Sequence, residues 1–150
     1  MELASLIISI TAIICSVVSV IINFYQNQAI TSLNLQARYF EKIFDDYLVR
    51  EIPKARKYAR YINNRFIDAD KLIDVLDDVK SNSLYFKYNN DAFYQELTKS
   101  IDDLEIFLSN CSNKNELDQD KQSENIIEIG NKIKVIYKII HTYSTGSISH

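Results

Sequence analysis

The stretch LASLIISITAIICSVVSVII, residues 3–22, decides the fold. Fifteen of its 20 residues are apolar, and the other five are Ser5, Ser9, Thr11, Ser16 and Ser19. No charged side chain follows Glu2 until Arg38. A bilayer's hydrocarbon core is about 30 Å thick, and a helix rising about 1.5 Å per residue crosses it in about 20 residues. Serine and threonine hydroxyls return their hydrogen bonds to the helix backbone, so five of them are compatible with insertion. The segment therefore reads as a transmembrane helix. A secretory signal would need a basic lead, a core of about 7–15 residues and a small-residue cleavage site. A helix buried in a soluble core would be shorter.

No base precedes the span, whereas Arg38, Lys42 and a dense basic run follow it. Basic flanks stay in the cytoplasm. The expectation is a single-pass protein of the inner (cell) membrane with its C-terminal part cytoplasmic. Phe24 and Tyr25 fall where interfacial aromatics belong. Ser5, Ser9, Ala12, Ser16, Ser19 and Asn23 follow alternating steps of four and three, a small-residue face suited to helix–helix contact in lipid.

The 150 residues contain two Gly and one Pro, a composition that favours helix. The fold class expected is all-α: the spanning helix continues into a small cytoplasmic domain of four or five helices. The boundaries read as a span over 1–25, a juxtamembrane helix over 26–52, a ligand-binding helical domain over 53–143 and a disordered tail over 144–150. The 3/4 spacing of Ile30, Leu33, Ala37, Phe40, Phe44 and Tyr47 supports one helix as far as Arg50, ended by Pro53.

Residues 53–66 (PKARKYARYINNRF) read as a second helix, with Ile52, Ala55, Ala59, Ile62 and Phe66 inward. Asp68 or Asp70 is the expected cap of a third helix burying Leu72, Leu76 and Val79. Residues 81–90 (SNSLYFKYNN) read as a loop or brief strand. Asp91 then caps a helix to about Ser109, with Phe93, Leu97, Ile101, Leu104 and Leu108 inward. Residues 110–123 read as a polar linker. A last helix over 124–143 carries Ile126, Ile129, Ile133, Ile136, Ile140 and Tyr143.

Between Arg50 and Arg65 stand six bases against one acid, Glu51, with Tyr58 and Tyr61 interleaved and Phe66 directly after. Positive charge meets phosphate and aromatic faces stack on bases, so the run suits a nucleotide or short single-stranded RNA. Two other uses compete. The charge can pair with the acid-rich segment Asp68, Asp70, Asp74, Asp77 and Asp78, or it can hold anionic headgroups beside the membrane. The candidate ligand contacts are Lys54, Lys57, Arg60, Tyr61, Arg65 and Lys87. In residues 85–90, Asn89 and Asn90 can meet an adenine edge while Tyr85, Phe86 or Tyr88 stacks on it.

Catalysis has no pattern to support it. There is no phosphate-cradling glycine loop and no metal-protease helix motif, and His141 and His150 have no nucleophile at a readable spacing. Cys15 and Cys111 make neither a disulfide framework nor a zinc site. No catalytic residue, metal or cofactor is expected.

With DDYLVREIPKARKY (45–58) and NSLYFKYNN (82–90) on such a layout, the chain resembles the vibrio-type membrane effectors of type III CRISPR systems that bind cyclic tetra-adenylate. The resemblance implies a homotetramer whose cytoplasmic domains take the cyclic nucleotide and whose spans then disrupt membrane integrity, as antiviral defence. The alternative from the residues alone is a membrane-tethered helical scaffold that binds a protein partner and anionic lipid.

Overall fold

The computed structural model describes residues 2–113 and 117–145, with side chains from residue 11 onward. It is all-α apart from one two-stranded hairpin, and the chain divides into two units between Arg38 and Tyr39.

Helix α1 runs Glu2–Lys42 without interruption. Every residue from Thr11 to Leu35 is exposed. The helical stretch Thr11–Arg56 holds an 18-residue window of mean hydropathy 1.4, none of it buried, so among the described residues one helix is long and apolar enough to cross a membrane. The Ser16 hydroxyl donates to the Ala12 carbonyl and that of Ser19 to the Cys15 carbonyl, each at 2.8 Å. These polar groups are satisfied inside the helix, which is the condition for placing them in lipid. Ser5 and Ser9 of the small-residue face lie outside the described side chains.

The second unit has its own core. After α1 the chain winds more widely, as a π-helical stretch over Ile43–Glu51. The apolar spacing explains the change. Phe40, Ile43, Leu48 and Ile52 are buried, and the step from Ile43 to Leu48 is five residues. Five matches the i→i+5 register of a π turn and no α turn. Phe44, on the 3/4 stripe that continues the span, is exposed. Helix α2, Ile52–Arg56, follows with Pro53 in its first turn, where the missing N–H costs nothing.

The expected helix over 53–66 is corrected here. α2 stops at Arg56, and strands β1 (Arg60–Ile62) and β2 (Arg65–Ile67) form an antiparallel hairpin. Asn63 and Asn64 take φ of 48° and 62°, the left-handed pair that a tight primed turn needs and that asparagine tolerates. Tyr61 and Phe66 face each other across the pair and turn inward, with rings 5.0 Å apart. Ile62 stands outward.

Helix α3, Ala69–Asn82, buries Leu72, Leu76 and Val79 as its spacing predicts. Asp68 precedes it at φ 55° but makes no cap bond, pairing with Lys71 at 3.1 Å instead. Residues 84–89 form a short helix, α4 (Leu84–Asn89), and no loop or strand. Its Phe86 is fully buried among Phe40 at 4.5 Å and Phe93 at 4.7 Å. Tyr85 stacks on Tyr39 at 4.1 Å. Helix α5, Asp91–Ser112, is capped by Asn90, whose side-chain oxygen accepts from the Phe93 N–H, and Asp91 lies one residue inside. Helix α6 begins at Gln119, where Asp118 accepts from the Lys121 N–H at 2.8 Å, and ends at Ser144. Helix α5 packs against both α3 and α6. The expected tail lies outside the described residues from 146 onward, as do residues 114–116 of the expected linker.

One polar cluster ties α3 to α5. Lys80 donates to Glu105 at 2.8 Å and Asp102 at 3.2 Å, and pairs with Asp77 at 3.0 Å. Burial alone would lower the Lys80 pKa, but hydrogen bonds to Glu105, Asp77 and Asp102 outweigh it and hold the amine above its ordinary 10.5. Burial raises the Glu105 pKa against the pull of Lys80, and its Oε1 is buried without a hydrogen bond. Lys80→Met should therefore destabilise the fold by about 2 kcal/mol, the worth of charge-assisted bonds in a half-buried place. A group whose folded pKa is raised contributes fully below its unfolded pKa and loses that contribution as pH climbs through the folded value. The deficit in urea unfolding should therefore be the same at pH 7 and pH 9.

Candidate ligand groove between the hairpin and the last helix

Two contacts hold the hairpin against the start of α6. The Asn125 amide donates to the Tyr61 hydroxyl at 2.7 Å, and the Gln122 amide donates to Asn64 Oδ1 at 2.9 Å. Gln122 also donates to the Leu117 carbonyl at 2.6 Å. Burial pushes the Tyr61 phenol up, while the Asn125 bond pulls the other way. Arg56 completes the clasp from α2. Its half-buried guanidinium donates to the Ala59 carbonyl at 3.0 Å and the Ile126 carbonyl at 3.4 Å. Those two bonds make this base of the basic run a structural clamp, and burial lowers its pKa.

Beside the clasp lies a groove of about 530 Å³, lined by Arg60, Tyr61, Gln119, Gln122, Ser123, Ile126 and Ile127. Small-molecule sites are commonly of that volume. Arg60 is exposed, and among the described residues no carboxylate lies within ion-pair distance of it. The clasp takes both N–H groups of the Gln122 amide, and the Ser123 hydroxyl donates to the Gln119 carbonyl at 3.0 Å, which leaves the Arg60 guanidinium fork, the Gln119 amide and an isoleucine wall to hold an anion joined to a flat ring.

The structure gathers only part of the predicted set. Arg60 and Tyr61 line the groove. Arg65 lies on the outer face of the hairpin with Arg60, because the register sets Arg60 against Ile67 and Ile62 against Arg65. Lys54 pairs with Glu51 at 3.5 Å, Lys57 is exposed in the turn after α2, and neither lines the groove. Lys87 is exposed on α4, at the far end of the α5–α6 pair. Tyr61 meets Asn125 near one end of α6, whereas Phe93, beside Phe86, meets Tyr143 near the other. Eighteen helical residues separate those ends by roughly 25 Å. Asn90 is taken up as the cap of α5, and Tyr85 is stacked in the core. Among the described residues the basic run makes no ion pair with α3. Tyr58 is covered by Lys71, whose Nζ lies 4.3 Å from the ring centre.

Gln119, Gln122, Ser123, Ile126 and Ile127 were not among the predicted contacts. The signal that could have found the first three is Asp118, an N-cap residue placed where α6 begins. Among the described residues no group of three or more His, Cys, Asp or Glu side chains could hold a metal ion. No family model matches the chain, and neither a curated protein nor a solved structure does. The likeness to the type III CRISPR effectors thus stands on the sequence segments and layout alone.

Proposed function

We propose that this is a single-pass membrane protein whose helical domain binds a nucleotide-type anion in the groove between β1 and α6. The observation that supports the reading is Arg60, an arginine without an ion-pair partner among the described residues, which lines one groove together with a tyrosine, the Gln119 amide and an isoleucine wall. The ligand implied by the resemblance is cyclic tetra-adenylate, and the implied output is disruption of the membrane in antiviral defence. Catalysis forms no part of the proposal.

The test is isothermal titration of the full chain, in nanodiscs of neutral lipid, with cyclic tetra-adenylate. Arg60→Ala should weaken binding at least about tenfold, which is about 1.4 kcal/mol, and Lys87→Ala should leave it unchanged. Equal affinity in Arg60→Ala removes the groove from the mechanism. A second reading is favoured by Lys54 and Lys57, which are exposed and outside the groove: a scaffold that grips anionic headgroups. Its mark would be association with anionic vesicles, lost in Lys54→Ala/Lys57→Ala, with no nucleotide affinity.

A further inference from the structure

The base-reading groups expected in residues 85–90 lie on α4 and in the cap of α5, away from the groove. The groove's place on the hairpin supplies others. Side chains of a strand alternate between its two faces, and residues directly opposite each other share a face. A cavity over the face of Tyr61 would also be lined by Phe66, and one over the face of Arg60 by Ile67. The groove is lined by Arg60 and Tyr61 together and by no residue of β2. It therefore runs along the outer edge of β1, between that edge and the start of α6.

The register decides which main-chain groups stand on that edge. Asn63 and Asn64 make a two-residue turn, so Ile62 and Arg65 beside it exchange both backbone hydrogen bonds. Arg60 and Ile67 do the same further along. Tyr61 falls between these pairs, so its N–H and C=O point away from β2. Among the described residues neither group has a hydrogen-bond partner. The groove wall thus carries a donor beside an acceptor, as an open strand edge does. Its side chains offer no such pair: the Tyr61 hydroxyl is held by Asn125, both Gln122 N–H groups are taken, and the Ser123 hydroxyl donates to the Gln119 carbonyl.

We infer that the main chain of Tyr61 reads the base of the bound nucleotide by its Watson–Crick edge. The Tyr61 N–H donates to the ring nitrogen of that edge, and the Tyr61 C=O accepts from the exocyclic amine beside it. Arg60 takes the phosphate, and Ile126 and Ile127 lie against the ring. The inference rests on the reading of the groove as a nucleotide site and adds a requirement to it: the edge that pairs in a duplex has to be open. The groove therefore takes unpaired bases and refuses paired ones.

The experiment titrates the full chain, in nanodiscs of neutral lipid, with cyclic tetra-adenylate and two analogues of it. One analogue lacks the exocyclic amine of every adenine. The other keeps the amines and has carbon in place of the acceptor nitrogen of the five-membered ring, on the opposite edge. The first should bind about tenfold more weakly, through loss of the bond to the Tyr61 carbonyl, and the second with unchanged affinity. Amide hydrogen exchange gives a second readout. In the free chain the Arg60 and Ile62 N–H groups are held by β2 and should exchange slowly, while that of Tyr61 exchanges fast. Saturation with cyclic tetra-adenylate should slow Tyr61 at least about tenfold, and saturation with inorganic phosphate should leave it fast. Equal affinity for the amine-free analogue, or a Tyr61 amide that stays fast in the saturated complex, would overturn the inference while binding that depends on Arg60 keeps the groove as the site. Binding that does not depend on Arg60, or no binding, would remove both.

Discussion

Phe86→Ala is expected to be the most damaging single change in the helical domain, at about 3–5 kcal/mol. The sequence around it looks like a polar turn, and its neighbours Tyr88 and Asn89 are indeed exposed. Phe86 itself has no accessible surface. It touches Phe40 at the end of α1 and Phe93 at the start of α5, and lies edge-on to Tyr85 at 5.3 Å. Truncation would open a cavity among rings whose positions are fixed from three helices, so little collapse can fill it. The loss should lower the melting temperature by roughly 15 °C. Tyr88→Ala, on the same short helix but 83% exposed, serves as the control and should change stability by less than about 0.5 kcal/mol. A melting temperature for Phe86→Ala within a few degrees of the parent chain would refute the packing argument.

Placing two lysines in α1 should remove the protein from the membrane. Ile14 and Val18 lie one helical step apart near the middle of the apolar run, and both are exposed. Each lysine at the centre of a spanning helix costs about 2.5–3.5 kcal/mol, so Ile14→Lys with Val18→Lys spends most of what 20 residues of modest hydropathy provide. Alkaline extraction of membranes reads the outcome. The parent chain should stay in the pellet and the double variant in the supernatant. Retention of the variant in the pellet would mean that the helix is held by something other than lipid.

The long periodic helices were legible because burial imposes their spacing. Leu72, Leu76 and Val79, then Phe93, Leu97, Ile101, Leu104 and Leu108, and Ile129, Ile136 and Ile140 are buried as their 3.6-residue rhythm requires, with Ile126, Ile133 and Tyr143 half-buried. The hairpin was hidden by a coincidence of spacing. Ala55, Ala59 and Phe66 are buried on either reading, and what separates strand from helix is the outward Ile62 and the inward Tyr61. The Asn63-Asn64 pair carried the turn signal and was outweighed by the periodic pattern. The groove suffered most from this. Two of its lining residues come from the hairpin and five from residues 119–127 of α6, whose opening run of Gln, Asp, Lys and Ser reads as linker. Arg60 and Tyr61, which line the groove, could be named because charge and aromaticity show in one dimension. Lys87 was grouped with them because a sequence cannot show the length of α6 that keeps them apart.

The widely wound stretch after α1 carries one residue more than an ordinary turn would need between Ile43 and Leu48. That surplus makes the joint asymmetric toward changes in chain length. Deleting Asp45 would leave the two buried side chains four residues apart, on one side of a normally wound helix. Adding a residue there would carry Leu48 away from the core. Shortening should be absorbed where lengthening is not, so this joint is the place where the chain can lose a residue and keep its packing.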